Sequence, residues 1–206
     1  MKLIIRPACA HDLPRVNALK AGVYGACGYG SQTAEVQLGN NDVVLVAEAE
    51  SAEVVGTISG QYYKDGVPAH QVFRDEILHY HAQSRLLAHC GSFAVCRSIR
   101  PAGLRSIGLT LISEMVALAS ANYVDTVTII VNPVHVDFYV GLGFEQVAKR
   151  TEMPGLTNAP AVLLAATGES LQNLYRRKAI GARLYYPRRS LQNISCNPRV
   201  LCNEMA

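Results

Sequence analysis

The chain has 206 residues, of which 50% are apolar and 17% charged; this composition excludes a disordered or fibrous protein and fits one domain, or one domain with a tail. Its longest apolar runs, such as 43–47 and 161–166, fall well short of the roughly 18 to 20 residues that cross a bilayer. The short apolar start before Arg6 and Pro7 is too small for a secretory core, so no integral membrane segment and a cytoplasmic location are expected. The net charge of +3 is uneven: residues 1–168 sum to −2 and residues 169–206 to +5. The basic tail favours an anionic partner such as a phosphorylated cofactor, an acidic protein, a membrane surface or nucleic acid, or else is a solvated helix with a frayed end.

In chain order, Leu3 to Ile5 predicts a short strand stopped at Arg6-Pro7. Asp12 and Pro14 open a helix in which Leu13, Val16, Leu19 and Val23 form one stripe, and Gly25, Gly28 and Gly30 end it before a loop or second short helix reaching about residue 40. The β-rich runs 43–47 and 54–59 predict an antiparallel hairpin, broken after it by Asp65-Gly66. A weak helix over about 72–87 precedes a strand over 92–96. Next comes an Arg, Pro and Gly-rich loop from Arg97 to Arg105, then a helix with Ile107, Leu111, Met115 and Leu118 on one face. The β-branched run 125–131 predicts a buried central strand, Asn132-Pro133 a short helix to about residue 140, and 145–148 and 161–166 the last strands. The expected class is α/β, with helices on a mixed, partly antiparallel sheet.

Six cysteines lie at 9, 27, 90, 96, 196 and 202 without a CxxC pair, and most are expected as small buried residues. His79 and His81 flank Tyr80, but no third ligand has a supporting spacing, so no metal site is expected. Chemistry gathers instead after residue 88. A strand feeds a loop with Arg97, Arg100, Gly103 and Arg105 and then a helix start, where unpaired N–H groups and the helix dipole suit a phosphate; an ordinary connection with surface arginines is the other reading. Asn132-Pro133-Val134-His135 then sets Tyr139 one helical turn from His135, on the same face, ahead of a sharp turn at Gly141-Leu142-Gly143-Phe144.

Arg100-x-x-Gly103-x-Arg105 resembles the acyl-CoA pyrophosphate loop of the GNAT acyltransferase superfamily, and Phe138-Tyr139-x-x-x-Gly143-Phe144 resembles that superfamily's last helix and strand entry. More narrowly, Val23-Tyr24 with Gly28-Tyr29, Gly91 to Val95, Asn132-Pro133-x-His135-x-x-x-Tyr139 and Asn158 to Leu164 together resemble the long-chain N-acyl amino acid synthases of FeeM type, relatives of acyl-homoserine lactone synthases. The likeness covers about residues 3–166. It implies a GNAT-like acyltransferase domain over 1–168 with a basic extension over 169–206. The implied reaction is transfer of a fatty acyl group from an acyl carrier protein thioester to the α-amine of an amino acid, tyrosine among the acceptors. Acetyl-CoA-dependent N-acetyl transfer and a catalytically degenerate acyl-binding module are the alternatives. No aromatic-interleaved basic stripe supports nucleic-acid binding.

The resemblance further implies that Phe93, Ala94, Val95, Arg97, Arg100, Gly103, Leu104, Arg105 and Ser106 hold the acyl-phosphopantetheine, or acyl-CoA, and that no metal takes part. Two positions depart from the pattern: Arg105 replaces a small loop residue, and His89 stands where the synthases carry a glutamate. The chemistry requires a base for the α-ammonium, N–H donors for the oxyanion and a proton donor for the departing thiolate. His89 is a candidate base, or a strand-start histidine bonded to backbone. Tyr139 matches the superfamily's acid, or is a core aromatic. Asn132 and His135 belong to the same motif, His135 as a cap or a substrate contact. Lys20, or an arginine, is a candidate clamp for the substrate carboxylate, with Tyr24 and Tyr29 beside it. Cys90 and Cys96 lack an ordered Cys-His-Asp set, so direct transfer is expected over an acyl-cysteine.

Overall fold

The computed structural model describes residues 3–29, 35–39, 41–64, 66–67, 72–96, 104–150 and 160–170, with the backbone alone at 104–106 and 150. Its elements are β1 (Leu3–Pro7), α1 (Leu13–Ala26), β2 (Asp42–Ala49), β3 (Val54–Tyr63), α2 (Arg74–Gln83), β4 (Leu87–Val95), α3 (Leu104–Ala121), β5 (Thr126–Val131), α4 (Val136–Val140), β6 (Glu145–Arg150) and β7 (Ala161–Thr167). The seven strands form one sheet in the order β1-β2-β3-β4-β5-β7-β6. All pairings are antiparallel except β4 with β5, which is parallel because α3 carries the chain across the sheet between them. This is the mixed α/β sheet with flanking helices that the sequence predicts.

Period-2 alternation assigns the faces. Val44 and Val46 pack with Val16 of α1, and they stand opposite Ser59 and Thr57 on β3. Farther along β3, Tyr63 shares a cluster with Phe73, Ile77 and Leu87. Thus α1 and α2 cover one face. On the other face Ile107, Leu111, Met115 and Leu118 of α3, all predicted as its buried stripe, pack on Leu45, Ile58, Ala88 and Cys90. Two glycines let α3 lie close. A Cβ on Gly56 would stand 2.9 Å from Leu111 Cδ1, and one on Gly60 3.1 Å from Met115 Sδ.

Several boundaries differ from the sequence reading. The predicted stripe of α1 packs through Val16, with Leu13 and Leu19 half-buried against the same cluster, and Lys20 is buried beside it. Residues 35–39 are irregular, so no second short helix lies among the described residues before β2. β4 starts at Leu87, five residues earlier than predicted, because pairing to β3 and β5 recruits Leu87 to Gly91 even though His89 and Gly91 weaken the local β signal.

Asp12 ties the β1 end to the rest. Its carboxylate accepts bonds from Arg6 at 2.6 and 3.0 Å, from Arg15 at 2.6 Å and from the Cys9 N–H at 2.8 Å, and Arg6 reaches on to Glu48 of β2. Asp12 holds the N-cap position of α1 that the sequence predicts, but its side chain makes no cap bond and turns toward two guanidiniums instead. Those bonds hold its carboxyl well below the usual carboxylate range despite complete burial.

Candidate active site

β4 and β5 pair only from Leu87–Thr126 to Cys90–Ile129. Beyond that point β4 stays with β3 as far as Val95, and β5 stays with β7 as far as Val131. The sheet therefore opens as a wedge between Gly91 to Val95 on one side and Ile130 to Asn132 on the other. A bulge accompanies the split: Ala94 faces Thr57 and Gly91 faces Ser59, so Ser92 and Phe93 together oppose Ile58. Ser92 takes φ of 47°, a left-handed conformation uncommon for a residue with a Cβ.

His89 lies in the last paired stretch, just before the wedge opens, on the α1 and α2 face, opposite Gln61 and Thr128. It is mid-strand, not at a strand start. Its ring stacks on Tyr63 at 6.3 Å and 4°, and its Nδ1 is 3.0 Å from Thr128 Oγ1. Burial pushes its pKa down to about 4, so the imidazole is neutral at pH 7. Neutrality leaves one ring nitrogen with a lone pair for a proton.

The opposite face carries Tyr139 and Cys90. Tyr139 packs from α4 on the α3-side core, edge-on to Phe138 at 5.0 Å and to Phe144 at 5.8 Å. Burial, with a smaller contribution from Cys90, raises its phenol to about 12. Desolvation likewise pushes the Cys90 thiol up to about 12, leaving it a poor nucleophile at neutral pH.

The two faces meet through α1. Tyr24 is electrostatically coupled to Tyr139 and Tyr29, and burial first, then these neighbours, raises its phenol to about 12. Tyr29 packs edge-on to Tyr24 at 5.9 Å and shares a side-chain hydrogen bond with Asn132. Asn132 also accepts from the Val134 N–H at 3.0 Å, fixing the turn after β5. Lys20, one turn before Tyr24, is 6% exposed; its Nζ sits 5.8 Å from the Tyr24 ring centre and its pKa is lowered by burial. Five residues named from sequence, Lys20, Tyr24, Tyr29, Asn132 and Tyr139, therefore form one connected set beside the wedge.

His135 is exposed at the end of the 3₁₀ turn Pro133–His135, whereas Tyr139 is half-buried. Phe93 packs toward α3, where a Cβ on Gly108 would lie 3.1 Å from its ring, and Ala94 and Val95 are buried. The Cys96 N–H donates to Val55 at 2.8 Å and so is occupied within the sheet. Arg97, Arg100 and Gly103, the side chains of Leu104, Arg105 and Ser106, and residues 171–206 lie outside the described residues. Sequence reasoning missed Thr128 and Tyr63, since a threonine in a β-branched run and a tyrosine ending a hairpin strand look like ordinary sheet residues.

A family model described as N-acyl amino acid synthase FeeM matches residues 15–167, well over half of the chain. The chain belongs to that family. This acyltransferase shares its fold with FeeM, an N-acyl amino acid synthase from uncultured soil microbes, at a TM-score of 0.70 and 19% identity over 87% of this chain and 98% of that one. A GNAT-superfamily phosphinothricin acetyltransferase from Sinorhizobium meliloti, in complex with AcCoA, aligns with TM-score 0.57 and 16% identity over 81% and 89%. Escherichia coli ElaA aligns with TM-score 0.57 and 14% identity over 80% and 99%. No curated protein sequence matches the chain. The protein is thus a GNAT-superfamily acyltransferase of the FeeM type. Among the described residues no helix is long and apolar enough to cross a membrane.

Proposed function

We propose that this acyltransferase moves a long-chain fatty acyl group from the thioester of an acyl carrier protein to the α-amine of an amino acid. The observation that carries the reading is the opening between β4 and β5, which has a neutral imidazole on one face and a protonated phenol on the other. A thioester carbonyl in that opening is approached by the amine from the His89 side. The C–N bond forms while the carbonyl electrons move to oxygen, and backbone N–H groups of the Ser92-Phe93 bulge are suited to hold that oxyanion. His89 takes the ammonium proton, directly or through water. Collapse of the intermediate breaks the C–S bond, and Tyr139 protonates the departing thiolate.

Lys20, buried one turn before Tyr24, is a cation suited to the substrate carboxylate. Tyr24 and Tyr29 line the approach, and Asn132 braces it. Arg97, Arg100, Gly103, Leu104, Arg105 and Ser106 are proposed to bind the phosphopantetheine phosphate, and His135 to meet substrate or carrier from the exposed turn. We further propose that residues 1–168 form the catalytic body and that the +5 segment 169–206 docks the acidic carrier.

The test is product formation. Purified protein given long-chain acyl carrier protein and each of the twenty amino acids, tyrosine included, should yield an N-acyl amino acid by mass spectrometry. No product with any of them would remove the reading. Turnover with acetyl-CoA but not with acyl carrier protein would replace it by an N-acetyltransferase. Deleting 169–206 should weaken the apparent affinity for the carrier; an unchanged KM returns the tail to a solvated extension.

A further inference from the structure

The base proposed above depends on which ring nitrogen of His89 carries the proton, and a residue of β5 decides this. Thr128 is fully buried, and its hydroxyl has two neighbours, His89 Nδ1 at 3.0 Å and the Ala88 carbonyl at 3.4 Å. A carbonyl only accepts, so a Thr128 hydroxyl that donates to Ala88 turns its oxygen lone pair toward His89. A neutral imidazole meeting that lone pair must offer Nδ1–H. Its Nε2 then carries the lone pair. The parallel Tyr63 ring fixes the plane of the imidazole, and the strand register puts His89 opposite Thr128, so the pairing follows from the sheet itself.

We infer that Thr128 is a positioning residue for catalysis, holding His89 as the Nδ1–H tautomer so that Nε2 is the atom that accepts the substrate's proton. This rests on the reading of His89 as the base and adds the device that orients it. In a sequence with histidine at this position, the threonine does what a second partner does for other catalytic imidazoles: it removes the wrong tautomer before substrate arrives.

The experiment uses full-length ¹⁵N-labelled protein near neutral pH, with the His89 signals identified by their loss in His89→Gln. Wild type should give a protonated, pyrrole-type Nδ1 and a pyridine-type Nε2. Thr128→Val, of nearly the same shape, should lose that single pattern and lower kcat roughly tenfold to a hundredfold with KM unchanged. Thr128→Ser should restore both the spectrum and kcat, which also controls for folding of the valine variant. A pyridine-type Nδ1 in wild type, or an unaltered tautomer in Thr128→Val, overturns the inference. If the tautomer changes in Thr128→Val while kcat holds, the positioning role is overturned. If His89→Gln also keeps full kcat, the reading of His89 as base falls with it.

Discussion

His89 Nδ1 and Thr128 Oγ1 stand 3.0 Å apart across the last paired stretch of β4 and β5, immediately before those strands separate. This contact places a half-buried neutral imidazole at the floor of the wedge, and it has a consequence for acid stability. An unfolded histidine titrates near 6.5, whereas His89 in the fold titrates near 4. Between those values the unfolded chain binds more protons, so stability is complete above about pH 6.5 and falls as pH drops toward 4, by at most ~3 kcal/mol. Urea titrations across that range should show the loss, and His89→Gln should flatten it.

Asp12 contributes in the more acidic range. Its folded pKa is depressed, so its stabilisation is present above the ordinary carboxylate value near 4 and is lost as pH falls below it. At neutral pH, Asp12→Ala leaves Arg6 and Arg15 without the carboxylate that gathers them, at an expected cost of about 3 kcal/mol. A thermal melt should record a drop of roughly 6 to 12 °C. A change below 2 °C, on the order of half a kcal/mol, would show the cluster to be surface-like.

Tyr139→Phe removes the proposed proton donor and keeps the ring that packs on Phe138 and Phe144. We expect kcat to fall about a hundredfold with the melting temperature preserved. With the phenol raised to about 12, no loss of activity from its ionisation should appear in a pH profile between neutrality and about pH 10.

Lys20→Met should raise KM for the amino acid roughly tenfold to a hundredfold, with little change for the corresponding amino acid amide, which lacks the carboxylate. Lys20→Arg should recover part of the affinity. Equal loss for acid and amide would assign Lys20 to packing on Tyr24 instead.

Gly56→Ala should destabilise by about 1 to 3 kcal/mol, because the added methyl meets Leu111 at 2.9 Å and α3 must move away from the sheet. Chemical denaturation measures this directly; a neutral outcome would mean that the helix adjusts without loss.

Much of the fold was legible because its signals are local. The α3 stripe from Ile107 to Leu118, the hairpin of β2 and β3 and the β-branched run of β5 each carry their own period, and motif residues such as Asn132, Tyr139 and Gly143 sit in short contiguous patterns. These sequence features also determine the family and the acyl-transfer chemistry. Tertiary structure alone decided which face each residue serves. One strand step separates His89 from Cys90 and sends them to opposite sides of the sheet. Thr128 acquired its place beside His89 only because a parallel crossover of some thirty residues set the register of β5 against β4. Sequence periodicity specifies an element and its apolar side; partners from distant strands, and hence the state of a half-buried imidazole, are fixed only when the sheet assembles.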